Sequence, residues 1–240
     1  MVFSKEFYTL NLAFARQVQR VSRLPAEYTL RFFTNLYVRF GLGTNLSRDH
    51  PVWQEYLCGL ASSSDEEEWT YRFALEHDSY PETEILQPGF GCFSYTLWDQ
   101  KRIRLHFHNE EPGGISPLSK DRMVARQDEL HGMFYYIKEH AGAVESVIGG
   151  SWLYSLEAYR RLFPAAFLST ARPGGHDYPY LTLWGQFLDH LGQVRGDLAS
   201  NFIECSKQQS TLEGVLGCFP FKVHYLEAPL SVFYQYYGIE

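Results

Sequence analysis

The chain has 240 residues, 45% of them hydrophobic and 17% aromatic, with a formal net charge of -7 and a sequence pI near 5.7. That is enough apolar chain for one large or two small domains with a real core, and it rules out a disordered segment. The acidic balance, with no Lys/Arg-rich block, argues against nucleic-acid binding, which needs a basic field.

The 18 Phe and 17 Tyr read first as core filling, with an aromatic-lined pocket as the alternative. The start, Met1 to Tyr8, has no basic segment followed by an apolar run, and no stretch approaches the roughly 18 apolar residues of a membrane span. Cys58, Cys92, Cys205 and Cys218 form no C-x-x-C pair. The expectation is therefore a cytoplasmic protein with reduced, buried thiols, bound to no membrane.

In chain order, Phe3, Phe7, Leu10, Phe14, Val18 and Val21 step by three and four, which predicts an amphipathic helix ending before Pro25. Arg16, Arg20 and Arg23 lie off that stripe and read as a solvated face or an anion-binding one. A second helix is predicted with Leu30, Phe33, Tyr37 and Phe40 inward, stopped by Gly41 and Gly43. A third runs from Asp49 to Leu60. The acids Asp65 to Glu68 open a fourth, where the helix dipole favours them. Ser79 to Gly89 reads as a linker.

From Phe93 the period becomes two, predicting a hairpin with strands at 91–98 and 102–108. A long helix with Met123, Leu130, Phe134 and Ile137 inside comes next. A strand at 144–149, a helix near 152–162, an extended Ala166–Ala171 and a turn-rich loop at Arg172–Tyr180 follow. Two helical stretches near 182–192 and 196–208, a strand at Phe221–Leu226 and a helix from Pro229 complete the chain. The fold class is α+β, with a helical part at 1–78 and a mixed, largely antiparallel sheet with helices at 90–240, either as two domains or as one continuous domain.

Arg104, His106 and His108 fall on one face of a strand. Two histidines at i and i+2 are metal-ligand geometry, as in cupins. Here the expected upstream glycine is Gln100, the glutamates at 110 and 111 come too soon, and Arg102 and Arg104 share the face. No metal is therefore expected, and an anion suits the column better. Gly149-Gly150-Ser151 reads as a strand-to-helix turn whose following helix aims its N-terminus at an anion. With Arg104, His106 and His108 it makes a ligand site bordering the main cleft. Ser151 also suggests a hydrolase nucleophile, with Asp177 or Asp189 and His190 or His224 completing a triad. The G-x-S-x-G motif lacks its last glycine at Leu153, and capping of a helix at Trp152 is the other use of that serine.

The stretch from Arg104 to Phe167 carries Gly113-Gly114, Ser116-Pro117, Ser151-Trp152-Leu153 and Leu162-Phe163-Pro164 between strand, long helix, strand and helix. In this it resembles the C-terminal half of an uncharacterised bacterial protein family likened to GNAT-type acyltransferases. The resemblance implies a small-molecule transferase that holds acyl-CoA between two splayed strands, with the pyrophosphate on a helix N-terminus. The family's Arg/Gln-x-x-Gly-x-Gly/Ala cradle is absent, and no catalytic residue carries over. A non-enzymatic ligand-binding or protein-interaction module is the rival expectation.

Overall fold

The computed structural model describes residues 3–77, 89–111, 114–174 and 180–240. The fold is α+β, and the chain divides into two compact units. The first joins Met1–Thr83 to His176–Pro220, and the second joins Glu84–Gly175 to Phe221–Glu240. The boundary differs from a split at 78/90, because residues 180–220 pack on the N-terminal helices. The expected linker at 79–89 lies, apart from Gly89, outside the described residues.

The first unit is helical. Helix α1 (Lys5–Ser22) buries Phe7, Leu10, Phe14 and Val18 along the expected stripe. The helix predicted after Pro25 is broken into α2 (Ala26–Phe33) and α3 (Leu36–Arg39). The break lies at Thr34 and Asn35. There the Thr34 hydroxyl bonds the Leu30 carbonyl, and Asn11 Oδ1 accepts from Asn35 N–H at 2.8 Å. Buried side chains thus replace the helical ladder for one residue pair. Helices α4 (Pro51–Ser62) and α5 (Glu66–His77) stand as expected.

The arginines beside the α1 stripe serve the fold itself. Arg16 pairs with Glu66 at 2.7 Å. Arg20 donates to the carbonyls of Ser206, Lys207 and Gln209 at 2.8–3.2 Å, satisfying the C-terminal end of a later helix. That helix is α9 (Gly196–Gln208), which follows a 3₁₀ segment at Tyr180–Phe187 and precedes α10 (Leu212–Gly217). Phe14 meets the rings of Phe202, Phe219 and Trp184 at 4.9, 5.1 and 5.6 Å, which closes the core. The expected four reduced, buried thiols need correction. Cys205 and Cys218 form a disulfide, and Cys58 is exposed, which leaves Cys92 as the buried free thiol.

The second unit holds a five-stranded sheet in the order β1-β2-β3-β5-β4. The predicted hairpin is present as β1 (Phe93–Leu97) antiparallel to β2 (Arg102–Phe107). Its turn is held by Asp99 Oδ1, which accepts from the N–H groups of Lys101 and Arg102 at 2.9 Å. Helix α6 (Met123–His140) leads into β3 (Ser146–Ser151), parallel to β2. Strand β5 (His224–Pro229) is antiparallel to β3 and flanked on its other side by the two-residue β4 (Arg172–Pro173). It starts three residues later than the strand expected at 221–226. Helix α11 (Leu230–Tyr237) starts after Pro229, as expected.

Phe93, Tyr95, Ile103, Leu105 and Val147 are buried in one core with Leu130, Phe134 and Ile137 of α6 and Phe233 of α11. Two local readings need correction. The helix expected at 152–162 is a 3₁₀ turn, Trp152–Ser155, followed by the four-residue α7 (Glu157–Arg160). The extended segment expected at 166–171 begins as a helical turn, α8 (Ala165–Leu168). Pro164 precedes α8, and proline's fixed φ favours entry into a helix.

A buried ionic cluster ties β1 and the segment after β2 to α6. Arg126 sits on the inner stripe of α6, and its guanidinium reaches Glu129 at 2.6 Å, Glu111 at 3.2 Å and the Cys92 sulfur. Glu129 also accepts from the Cys92 N–H at 3.0 Å. Its carboxylate fills the space where a side chain at Gly91 (φ +58) would sit, 2.1 Å from Oε1. Removing one partner of a buried ion pair strands the other. Arg126→Met should therefore cost about 3–5 kcal/mol in urea unfolding at neutral pH. Lys101→Met, which breaks the exposed 2.7 Å pair with Glu145, should cost about 0–1 kcal/mol. Equal losses in the two variants would contradict this picture of the cluster.

Candidate functional site

The alternation that buries Ile103 and Leu105 turns Arg104, His106 and His108 to the other face of the sheet. Neighbouring strands add Ser94 and Thr96 from β1, Ile148 and Gly150 from β3, and Tyr225 and Glu227 from β5. His106 Nε2 meets the Thr96 hydroxyl and His108 Nε2 the Ser94 hydroxyl, both at 2.9 Å. The two imidazoles lie roughly parallel, 6.4 Å apart. Burial, reinforced by Arg104 and then by His108, pushes the His106 pKa down from 6.5 to about 4. At neutral pH His106 is therefore an uncharged hydrogen-bonding group.

Arg104 is a half-buried cation of this face. Its Nη2 donates to the Gly150 carbonyl at 3.4 Å, and its guanidinium lies 5.6 Å from the Trp98 ring centre. Among the described residues no carboxylate pairs with it, whereas Arg102 on the same strand pairs with Asp99 at 2.7 Å.

The structure divides the residues grouped from the sequence. Gly149, Gly150 and Ser151 are not a turn, because β3 runs through them and they pair with Leu226, Tyr225 and His224. The two glycines face opposite sides. A Cβ at Gly149 would lie 2.4 Å from the Tyr154 hydroxyl on the core side, and one at Gly150 would lie 3.1 Å from the Tyr225 ring on the polar side. Both positions let an aromatic side chain close on the strand. Gly150 thus joins Arg104, His106 and His108, while Gly149 and Ser151 belong to the opposite face.

Ser151 has extended backbone (φ -160, ψ 154), and its Oγ accepts from Leu153 N–H at 3.1 Å. It caps the turn at Trp152, and the strained elbow of a hydrolase nucleophile is not formed there. His224 is its cross-strand partner, Asp189 and His190 belong to the first unit, and Asp177 lies outside the described residues. With only a four-residue 3₁₀ turn after Ser151, the expected helix N-terminus for an anion is missing too.

A cleft of about 780 Å³ opens at the other end of β3. It is lined by Asp99, Arg102, Glu145, Ser146 and Glu227, away from Gly149–Ser151. Its polar groups are largely engaged with one another, with Ser146 Oγ donating to Glu227 at 2.9 Å, Arg102 held by Asp99 and Lys101 by Glu145. Among the described residues no three His, Cys, Asp or Glu side chains converge as a metal site.

The Arg126 cluster escaped sequence reasoning. Its signal was an arginine at a position of the apolar α6 stripe. Burial pushes the Cys92 thiol pKa up, which keeps it a thiol and fits structure better than nucleophilic work. No helix is long and apolar enough to cross a membrane, among the described residues. No family model, curated protein or solved structure matches the chain.

The His106 shift has a signed consequence. The unfolded chain takes up a proton near pH 6.5 that the folded protein refuses until about pH 4. His106 should therefore make stability fall as pH drops through that window. Urea midpoints at pH 7 and pH 4.5 should fall further apart in the wild type than in His106→Gln. Equal pH dependence in the two proteins would place His106 in water.

Proposed function

We propose that the second unit is a GNAT-like acyltransferase module that binds acyl-CoA, or a related anionic acyl donor, where β2 and β3 part. The observation that supports this is the short parallel ladder. Strands β2 and β3 pair only from Arg102/Ser146 to Arg104/Ile148, and His106 and Gly150, the next residues on the same face, are beyond the ladder. Parallel neighbours whose ladder stops midway leave backbone groups free for an extended, amide-bearing ligand. Arg104, beside that point and without a carboxylate partner among the described residues, suits the ligand's negative charge.

The roles follow from the chemistry of each group. Arg104 binds the anion. Gly150 lets the Tyr225 ring close on the strand, and that ring borders the site. His106 orients the ligand by hydrogen bonding. A pKa of about 4 makes it a poor general base near neutral pH, where proton transfer favours a matched value.

The rival is an interaction module, favoured by Leu97 and Trp98. These are adjacent, exposed side chains at the end of the edge strand β1. Calorimetry with CoA and acetyl-CoA separates the two. The transferase reading expects binding that Arg104→Ala weakens at least about ten-fold, the worth of a charge-assisted hydrogen bond. A folded protein that binds neither ligand would end this reading. Binding unchanged in Arg104→Ala would move it away from this face.

A further inference from the structure

We propose that the Cys205–Cys218 disulfide is a reversible redox switch that controls the anchoring of α10 in the first unit. Cys205 is in the last turn of α9, and Cys218 follows α10 directly. The two helices it joins differ in their hold on the fold. The C-terminal end of α9 is fixed by the three carbonyl contacts of Arg20, and Phe202 lies in the aromatic core.

Helix α10 has six residues, too few to persist without tertiary support. Its N-terminus is capped by Thr211, whose Oγ1 accepts from Gly214 N–H at 3.1 Å. Its inward side chains are Val215 and Leu216. At its C-terminal end the bridge is the covalent hold, next to buried Phe219. Opening the bridge removes the covalent hold and leaves α10 on non-covalent contacts, among them its cap, Val215, Leu216 and Phe219.

Both bridged residues are partly exposed, and access is what thiol–disulfide exchange with a small thiolate requires. The exchange balances with a dithiol reductant. One thiolate of the reductant attacks a bridge sulfur and forms a mixed disulfide, releasing one cysteine thiolate. The second thiolate of the reductant then closes its own disulfide and releases the other cysteine. The protein gains two thiols as the reductant loses two electrons. In a reducing compartment a bridge of this kind is characteristically regulatory rather than permanent.

The test is intact-mass alkylation with hydrogen exchange on the full chain. Without reductant, alkylation under native conditions should reach Cys58 alone. After dithiothreitol it should reach Cys58, Cys205 and Cys218, with buried Cys92 protected. Amides of 212–217 should then exchange at least about ten-fold faster while those of α1 stay unchanged. A Cys205→Ser/Cys218→Ser double variant should show the fast exchange without reductant. If that variant fails to fold, the wild-type comparison with and without dithiothreitol decides. Alkylation of Cys205 and Cys218 before reduction overturns the proposal. So does an exchange pattern in 212–217 that reduction leaves unchanged, and so does loosening of α1 together with α10, which marks a staple of the whole unit.

Discussion

Ile103 and Leu105 can lie against α6 only if Arg104, His106 and His108 point the other way. This alternation on β2 is the constraint from which the character of the second unit follows. A slip of one residue would bury Arg102, Arg104 and His106 and expose the core of the hairpin, so the register has no near competitor. Once it is set, Thr96 and Ser94 arrive beside the two imidazoles, and Gly150 and Tyr225 arrive beside Arg104. The polar face is a by-product of building the core, and its chemistry is decided by which side chains that by-product collects.

The cations of the chain sort by what they pair with. Arg16, Arg31, Arg102 and Arg126 each meet a carboxylate, and Arg20 closes the end of α9. These are internal uses, and they consume most of what resembled an anion-binding stripe on α1. Arg104 instead meets a carbonyl and an aromatic ring. A half-buried guanidinium that meets no carboxylate among the described residues retains its attraction for an anion, and here it sits on the polar face of the sheet beside two imidazoles.

The elements that repeat a period were legible. The stripe of α1, the hairpin and the inner face of α6 follow from spacing alone, since a period of two or of 3.6 has one packing solution. Glycine was not legible in the same way. Gly149 and Gly150 signal either a turn or a close approach, and only Tyr154 and Tyr225, brought in by tertiary structure, decide for the second. The break at Thr34 depends on Asn11, 24 residues earlier in the chain than Asn35. The grouping of residues 180–220 with α1 depends on Phe14 meeting Phe202 and Phe219, which local pattern does not record. The site was half legible. Arg104, His106, His108 and Gly150 share a face, while Gly149 and Ser151 belong to the other side of the same sheet.

An NMR titration of the labelled chain with CoA tests ligand entry at the parting of β2 and β3 residue by residue. Saturable shifts are expected at the Gly150 amide, the Arg104 guanidinium and the His106 ring, with the Asp99–Arg102 turn and Ser151 little changed. Shifts confined to the Asp99–Glu227 cleft or to the helices of the first unit, with the β2–β3 opening unmoved, would contradict it.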